Sequence, residues 1–332
     1  MKIFVIGDFR SNTGPANVTR EYLSRLPKGT RYLIGRTKII RAIEIFLKMS
    51  GSDVVLFSGY SKQNLLGLKL AKRKGIKTAY LMHGCVEHEN AINECVSTQM
   101  SYVERKTLEL CDRIYAVSDK FAGWLKTFYP EHSDKIQVVM NGVDDINVEE
   151  IQEEEIKPGF IFSIGGGMPR KKIKYICGAI KLLNDKAGTD KYRLVVVGDK
   201  GKDDEAINSY PFVTNLGLVD SDRVRGLYRN ASLFIQNSCF ETFGLSPMEA
   251  LANGCNVLLS KEIGALDLIK GLDDRDIINN WFDEKEIAEK IEYLSKNGNA
   301  GRLTASFNKE LYSWETRTKE LQERLSELLT EK

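Results

Sequence analysis

Asn237-Ser238-Cys239-Phe240-Glu241-Thr242-Phe243-Gly244-Leu245-Ser246-Pro247-Met248-Glu249-Ala250-Leu251-Ala252-Asn253-Gly254 decides how the rest of the chain is read. It follows the apolar run Ala231-Ser232-Leu233-Phe234-Ile235, which reads as a buried strand. Gly244 and Ser246-Pro247 then signal a helix start. A strand running through a loop into a helix aims free backbone N–H groups outward, and such an N-terminus attracts phosphate. Glu241 and Glu249, with seven residues between them, are an odd pair to set there, because carboxylates repel phosphate. Their placement makes sense if they accept hydrogen bonds from hydroxyls. A ligand carrying both a diphosphate and sugar hydroxyls, a nucleotide-sugar, meets both conditions.

Outward from this stretch, apolar runs alternate with amphipathic segments, which argues for parallel α/β units. Strands are expected at residues 2–6, 31–34, 54–57, 78–82, 113–117 and 136–139. The scheme restarts at 160–164, 193–197, 212–215, 233–236 and 256–260. Helical patterns lie between them, and 314–329 carries Leu321, Leu325, Leu328 and Leu329 on one face. The acidic stretch 147–158, closed by Pro158, reads as a linker. The expected architecture is α/β, with two Rossmann-like, doubly wound domains facing a central cleft. Residues 1–146 are expected to form the first domain, with the amphipathic helix 314–332 packing back on it. Residues 156–313 form the second, nucleotide-sugar-binding domain. In such sheets ligands bind beyond the carboxyl ends of the strands.

Composition narrows the class. At 332 residues and 42% apolar content the chain supports two real cores. It holds no run of 18 apolar residues to span a membrane. Met1-Lys2-Ile3-Phe4-Val5-Ile6-Gly7-Asp8 lacks the long apolar segment of a signal peptide, so a cytoplasmic location is expected. The six cysteines form no CxxC pair and read as reduced, buried thiols. His83, Cys85 and His88 lie close in sequence, but no second ligand pair accompanies them, and no metal or other cofactor is expected. Net charge is only +2, yet residues 1–77 hold 16 Lys and Arg against four acids, while 146–332 hold 26 against 31. A basic first domain suits an anionic partner: a lipid-linked diphosphate, or the inner face of the plasma membrane as a peripheral site. Nucleic acid is not expected, because no binding motif accompanies the charge.

Four further segments carry chemistry. Gly165-Gly166-Gly167-Met168-Pro169-Arg170-Lys171-Lys172 follows one strand and precedes a helix. Its glycines allow close backbone approach, and Arg170 and Lys171 place cations where a leaving diphosphate gathers charge. It is neither a GxGxxG fingerprint nor a P-loop. Ser11-Asn12-Thr13-Gly14-Pro15-Ala16-Asn17-Val18 joins the first strand to the first helix, where a plain helix cap or a ligand contact explains Gly14 and Asn17 equally. Met82-His83-Gly84 puts a polar His at the carboxyl end of a buried strand. Asn215-Leu216-Gly217-Leu218-Val219-Asp220 reads alone as a strand-to-helix turn. Asn141-Gly142 is a turn dipeptide and is assigned no chemistry.

The Glu241–Glu249 spacing, Lys171 and the Asn141-Gly142-Val143-Asp144 turn resemble the retaining glycosyltransferases of family four, the glycosyl transferases group 1, which have the GT-B fold. The resemblance implies donor contacts from Gly14, Arg170, Lys171, Val219, Glu241, Gly244, Leu245, Ser246 and Glu249. Glu249 would hold the ribose hydroxyls, Glu241 the sugar hydroxyls, and the amides of Gly244, Leu245 and Ser246 the sugar and diphosphate. His83, Lys171 and Glu241 are the implied catalytic residues, and Asn17 an acceptor contact, which makes the first domain, residues 1–146, the acceptor side. The family's diphosphate arginine has no match, since Gly166 occupies its place. The expected activity is metal-independent transfer of a hexose from a nucleotide-sugar, UDP among the carriers, to a glycan or polyprenyl-diphosphate-linked acceptor. Bacterial cell-surface polysaccharide synthesis is the expected setting. A GT-B nucleotide-sugar epimerase and a non-catalytic nucleotide-sugar-binding module are the alternatives.

Overall fold

The computed structural model describes residues 1–11, 13–143, 156–305 and 309–331. The acidic part of the expected linker, and Asp144 of the Asn141 turn, lie outside them. The chain forms two compact units: Met1–Ala91, Cys95–Val143 and Lys309–Lys332 in the first, Ile92–Glu94 and Asp144–Asn308 in the second.

The first unit is built on a six-stranded sheet of β1 (Ile3–Gly7), β2 (Arg31–Tyr32), β3 (Val54–Ser58), β4 (Lys77–Met82), β5 (Arg113–Ala116) and β6 (Ile136–Val138), in the order β2-β1-β3-β4-β5-β6. Every pairing is parallel. Helices cover both faces, so the inner strands are apolar throughout rather than alternating: β3 and β1 are buried along their whole length. The register sets Gly7 opposite Ser58 and Ser58 opposite Leu81, which aligns the carboxyl ends of β1, β3 and β4. Trp314 opens the last helix, Trp314–Thr330, and packs edge-on against Tyr22 with ring centroids 5.3 Å apart. Tyr22 in turn donates its hydroxyl to the carbonyl of Met140 at 3.0 Å.

The second unit repeats the plan with β7 (Phe160–Ile164), β8 (Leu194–Val197), β9 (Val213–Asn215), β10 (Ala231–Gln236), β11 (Val257–Ser260) and β12 (Ile277–Ile278), in the order β12-β11-β10-β7-β8-β9, again all parallel. The central β7 lies between β10 and β8, so the loops after β7 and β10 leave on opposite sides of the sheet. That is the switch point where such folds open a crevice. Phe162, Tyr228 and Phe234 meet edge-on at 5.2–5.7 Å and lie fully buried. All six cysteines are free thiols; four are buried, whereas Cys95 is exposed and Cys239 half-buried, against the expectation of buried thiols throughout. No described helix is long and apolar enough to cross a membrane.

Candidate active site

In the second unit, the loop after β7 and the loop after β10 bring three of the expected residues together. Lys171 Nζ lies 2.6 Å from Glu241 Oε2, and Arg170 reaches the same oxygen at 3.3 Å and the Phe240 carbonyl at 2.8 Å. The Gln236 amide, at the end of β10, donates to that oxygen as well, at 2.9 Å. Burial favours the neutral acid, but the charges and hydrogen bonds of Lys171 and Arg170 outweigh it and hold the Glu241 carboxyl below its ordinary range. Glu241 is therefore an ionised, largely buried carboxylate with one oxygen committed to three donors.

The backbone around it is fixed. Glu241 and Ile263 form a parallel bridge; Gly264 donates to the Glu241 carbonyl at 2.9 Å and Ala265 to that of Phe243 at 2.8 Å. Gly244 caps the helix Leu245–Ala252 with φ of +91°, a conformation suited to glycine, and contributes no side-chain cap. The helix thus begins two residues earlier than Pro247 suggests, and Leu245 and Ser246 occupy its first turn. Glu249 sits one turn on, where its carboxylate accepts from the Tyr228 hydroxyl at 3.1 Å. Ser246 also hydrogen-bonds that hydroxyl, and burial next to the Glu249 charge pushes the phenol far above its usual value.

The vacancy at the family's arginine position has a steric reason. Gly166 has φ of +54°, and a Cβ there would overlap the Asp199 carbonyl; the loops after β7 and β8 interlock backbone to backbone. Arg170 enters the Glu241 network from four residues further on. Val219 lies half-buried in the β9-to-helix loop, apart from this network.

The first unit carries the other expected residues at the carboxyl edge of its sheet. His83, just past β4, hydrogen-bonds Ser58 Oγ at 2.9 Å; Ser58 bonds Thr19 Oγ1 at 2.7 Å, and Thr19 donates to the Pro15 carbonyl at 2.8 Å. Burial pushes the His83 imidazole down to about 4, so it is neutral at pH 7. Gly14 is exposed in the first turn of helix Gly14–Arg25. Asn17, also exposed, accepts a hydrogen bond from Arg20, whose guanidinium fastens the carbonyls of Phe9 and Ser11. The three potential ligands read from sequence diverge: His83 faces Ser58, Cys85 faces Glu104 and Tyr129, and His88 packs on Trp124 and Phe128. Among the described residues no three His, Cys, Asp or Glu side chains gather in a metal-holding group.

Gln236, Tyr228, Ser58 and Glu104 join these networks without having been singled out in the sequence. Gln236 had a signal: a polar residue ending an apolar strand. Glu104 had none, sitting mid-helix among charged residues, yet it is fully buried. It accepts from the amides of Val86 and Glu87 at 2.8 Å each, and so fixes the segment that follows His83.

Two family models match along the chain: Glycosyltransferase Family 4 over residues 3–146 and Glycosyl transferases group 1 over residues 145–313. Among curated proteins, the chain is 26% identical over 168 residues to the O-antigen chain mannosyltransferase RfbU of Salmonella typhimurium, covering 48% of this chain and 45% of that one. It is 26% identical over 185 residues to an uncharacterized glycosyltransferase of Methanocaldococcus jannaschii, covering 49% and 46%. The chain thus spans about half the length of the curated relatives it matches. Among solved structures, HepE of Anabaena, in complex with UDP and glucose, superposes with a TM-score of 0.74 at 14% identity over 98% of this chain and 99% of that one. The lipopolysaccharide outer core galactosyltransferase WaaB gives 0.65 at 18% identity, over 98% and 99%. At these identities the likeness establishes the fold, which is GT-B.

Proposed function

This chain belongs to the glycosyl transferases group 1, and from that membership we propose that it moves a hexose from a nucleoside diphosphate-sugar to a glycan or polyprenyl-diphosphate-linked acceptor, with retention of configuration and without a metal. The observation that carries the reading is the Glu241 carboxylate, bound by Lys171, Arg170 and Gln236 beside the N-terminus of a helix that bears Glu249. This arrangement offers cations and backbone amides to a diphosphate, and carboxylate oxygens to hydroxyls.

The chemistry needs no protein nucleophile. As the bond from the sugar's anomeric carbon to the diphosphate breaks, positive charge grows on the sugar and negative charge on the leaving phosphate. Lys171, Arg170 and the positive end of helix Leu245–Ala252 favour that separation electrostatically. The acceptor oxygen bonds the same face of the anomeric carbon, and its proton passes to a departing phosphate oxygen. Glu241, kept ionised, accepts from the transferred sugar's hydroxyls, and Glu249 accepts from the ribose. Neutral His83 serves as a hydrogen-bonding group for a sugar hydroxyl. Gly14 and Val219 are read as donor contacts and Asn17 as an acceptor contact. The HepE complex with UDP and glucose, the RfbU mannosyltransferase and the WaaB galactosyltransferase support a nucleotide donor and a role in cell-surface polysaccharide synthesis.

A thermal-shift screen against UDP, GDP, ADP and their sugars, followed by a transfer assay with the sugar that binds, tests the reading. One nucleoside diphosphate and its sugars should raise Tm, and the transferred sugar should keep its anomeric configuration. No shift with any of them, or an inverted product, contradicts it.

A further inference from the structure

One helix of the first unit presents an apolar face to solvent. Helix Lys38–Met49 buries only Ile45 and Met49 among its large apolar residues. Ile39 is 75% exposed, Ile43 54%, Phe46 63% and Leu47 66%, and Ile40 is half exposed beside them. At 100° per residue these five fill a solvent-facing arc about 120° wide, separate from the arc that enters the core. The helix is well formed: Thr37 caps it by accepting from the Ile40 amide at 3.3 Å. Single exposed apolar residues are ordinary, but five on one arc of one helix are not.

The charge around this face is one-sided. Arg36 and Lys38 are exposed at its start, and the neighbouring helix Asn64–Lys74 packs alongside, offering exposed Leu66 and Lys69. Each of the four acids in residues 1–77 is engaged internally. Glu44, the one acid of the helix, pairs with Lys48 at 2.7 Å and accepts from the amides of Ile34 and Gly35. Asp8 is held by Ser11, Glu21 pairs with Arg25, and Asp53 accepts from the Lys2 amide. The exposed cations beside the apolar arc, Arg36, Lys38 and Lys69, therefore pair with none of these four acids.

We propose that helix Lys38–Met49 seats the protein on an anionic lipid leaflet, its apolar arc in the boundary between headgroups and acyl chains and the flanking cations among the phosphates. An amphipathic helix with an apolar face and cations at its margin takes this position in a bilayer, and juxtaposed Lys and Arg add electrostatic attraction to anionic headgroups. A second copy of the chain fits worse, because face-to-face association would bring two strongly basic surfaces together. The docking is independent of the reaction proposed above, and its readout is vesicle binding rather than turnover.

Co-sedimentation of the full chain with sucrose-loaded vesicles tests it. Wild type should bind vesicles of phosphatidylcholine with phosphatidylglycerol at least about tenfold more tightly than phosphatidylcholine alone, and raising salt from about 0.1 M to about 1 M should weaken binding. Ile43→Glu with Phe46→Glu should lower the partition at least about tenfold, with Tm and nucleotide-sugar binding unchanged. Leu47→Gln is the milder variant and should lower it by a smaller factor. Lys38→Glu with Lys69→Glu should remove the preference for anionic vesicles. A wild type that does not sediment overturns the proposal. So do apolar-face variants that bind like wild type, or ones that dissociate a dimer while leaving vesicle binding intact.

Discussion

Lys171 and Glu241, 70 positions apart, form an ion pair of 2.6 Å at the head of helix Leu245–Ala252. Each was expected to serve a different part of the ligand; the structure shows them sharing one charge-paired network with Arg170 and Gln236. In the proposed reaction, removing Lys171 would take a cation from the leaving group; in the structure it leaves Glu241 to Arg170 and Gln236. Lys171→Ala should lower kcat by about 100-fold or more, in the range of a lost transition-state donor, with a smaller effect on folding. In a double-mutant cycle with Glu241→Ala, urea denaturation should give a coupling of about 1–3 kcal/mol. Additive effects would mean that the pair contributes nothing to the fold.

Glu249 should act on binding rather than on the chemical step. Glu249→Ala should weaken nucleoside diphosphate affinity by about 1–3 kcal/mol, the usual contribution of hydrogen bonds to a charged group. Tyr228→Phe, which removes the phenol donor but keeps the carboxylate, should cost far less affinity. Calorimetric titration reads both, and unchanged affinity in Glu249→Ala removes it from the ribose role.

Gly166→Arg restores the family's arginine in sequence but should not restore a diphosphate contact. Its Cβ overlaps the Asp199 carbonyl, and φ of +54° suits glycine. A loss of about 2–4 kcal/mol in chemical denaturation is expected from overpacking plus backbone strain. A stable variant with tighter diphosphate binding would show that the loops after β7 and β8 part easily.

Two groups of the first unit, the half-buried His83 and the buried Glu104, should give opposing pH dependences. His83 falls from an ordinary 6.5 to about 4 because burial disfavours its charge. As pH drops through that window the unfolded chain binds the proton first, so this contribution to stability is lost on acidification. Glu104 rises from 4.5 to about 7, chiefly by burial, against the pull of the two amides it accepts. Its contribution is complete below about 4.5 and is lost as pH rises to about 7. Glu104→Gln should therefore leave stability rising from pH 4 to 6.5, and His83→Gln should leave it falling from pH 4.5 to 7, as read from urea midpoints across that range. Parallel profiles would remove both assignments.

Much of the fold was legible because buried parallel strands are continuous apolar runs. Val54–Ser58 and Phe160–Ile164 stand where their composition put them, within a residue. Ile277–Ile278 escaped because two residues carry no period, and the short helices Val86–Ile92 and Asp204–Asn208 bury too little to show a face. At the site, residue types and local spacing were readable, since Glu241, Gly244 and Glu249 follow one strand. What spacing could not show is which side chains meet across loops. The Lys171–Glu241 pair and the Tyr228–Glu249 bond depend on strand order, as does the Ser58–His83 contact. Strand order is set by the packing of the whole sheet.

In the proposed donor complex, Glu241 and Glu249 hold a sugar diphosphate at the start of helix Leu245–Ala252. A crystal structure with a non-hydrolysable nucleoside diphosphate-sugar tests it most directly. Ribose hydroxyls should lie on Glu249, sugar hydroxyls on Glu241, and the diphosphate between Lys171 and the amides of Leu245 and Ser246. A donor bound elsewhere, with Glu241 kept on Lys171, Arg170 and Gln236 and Glu249 on Tyr228, would refute this placement.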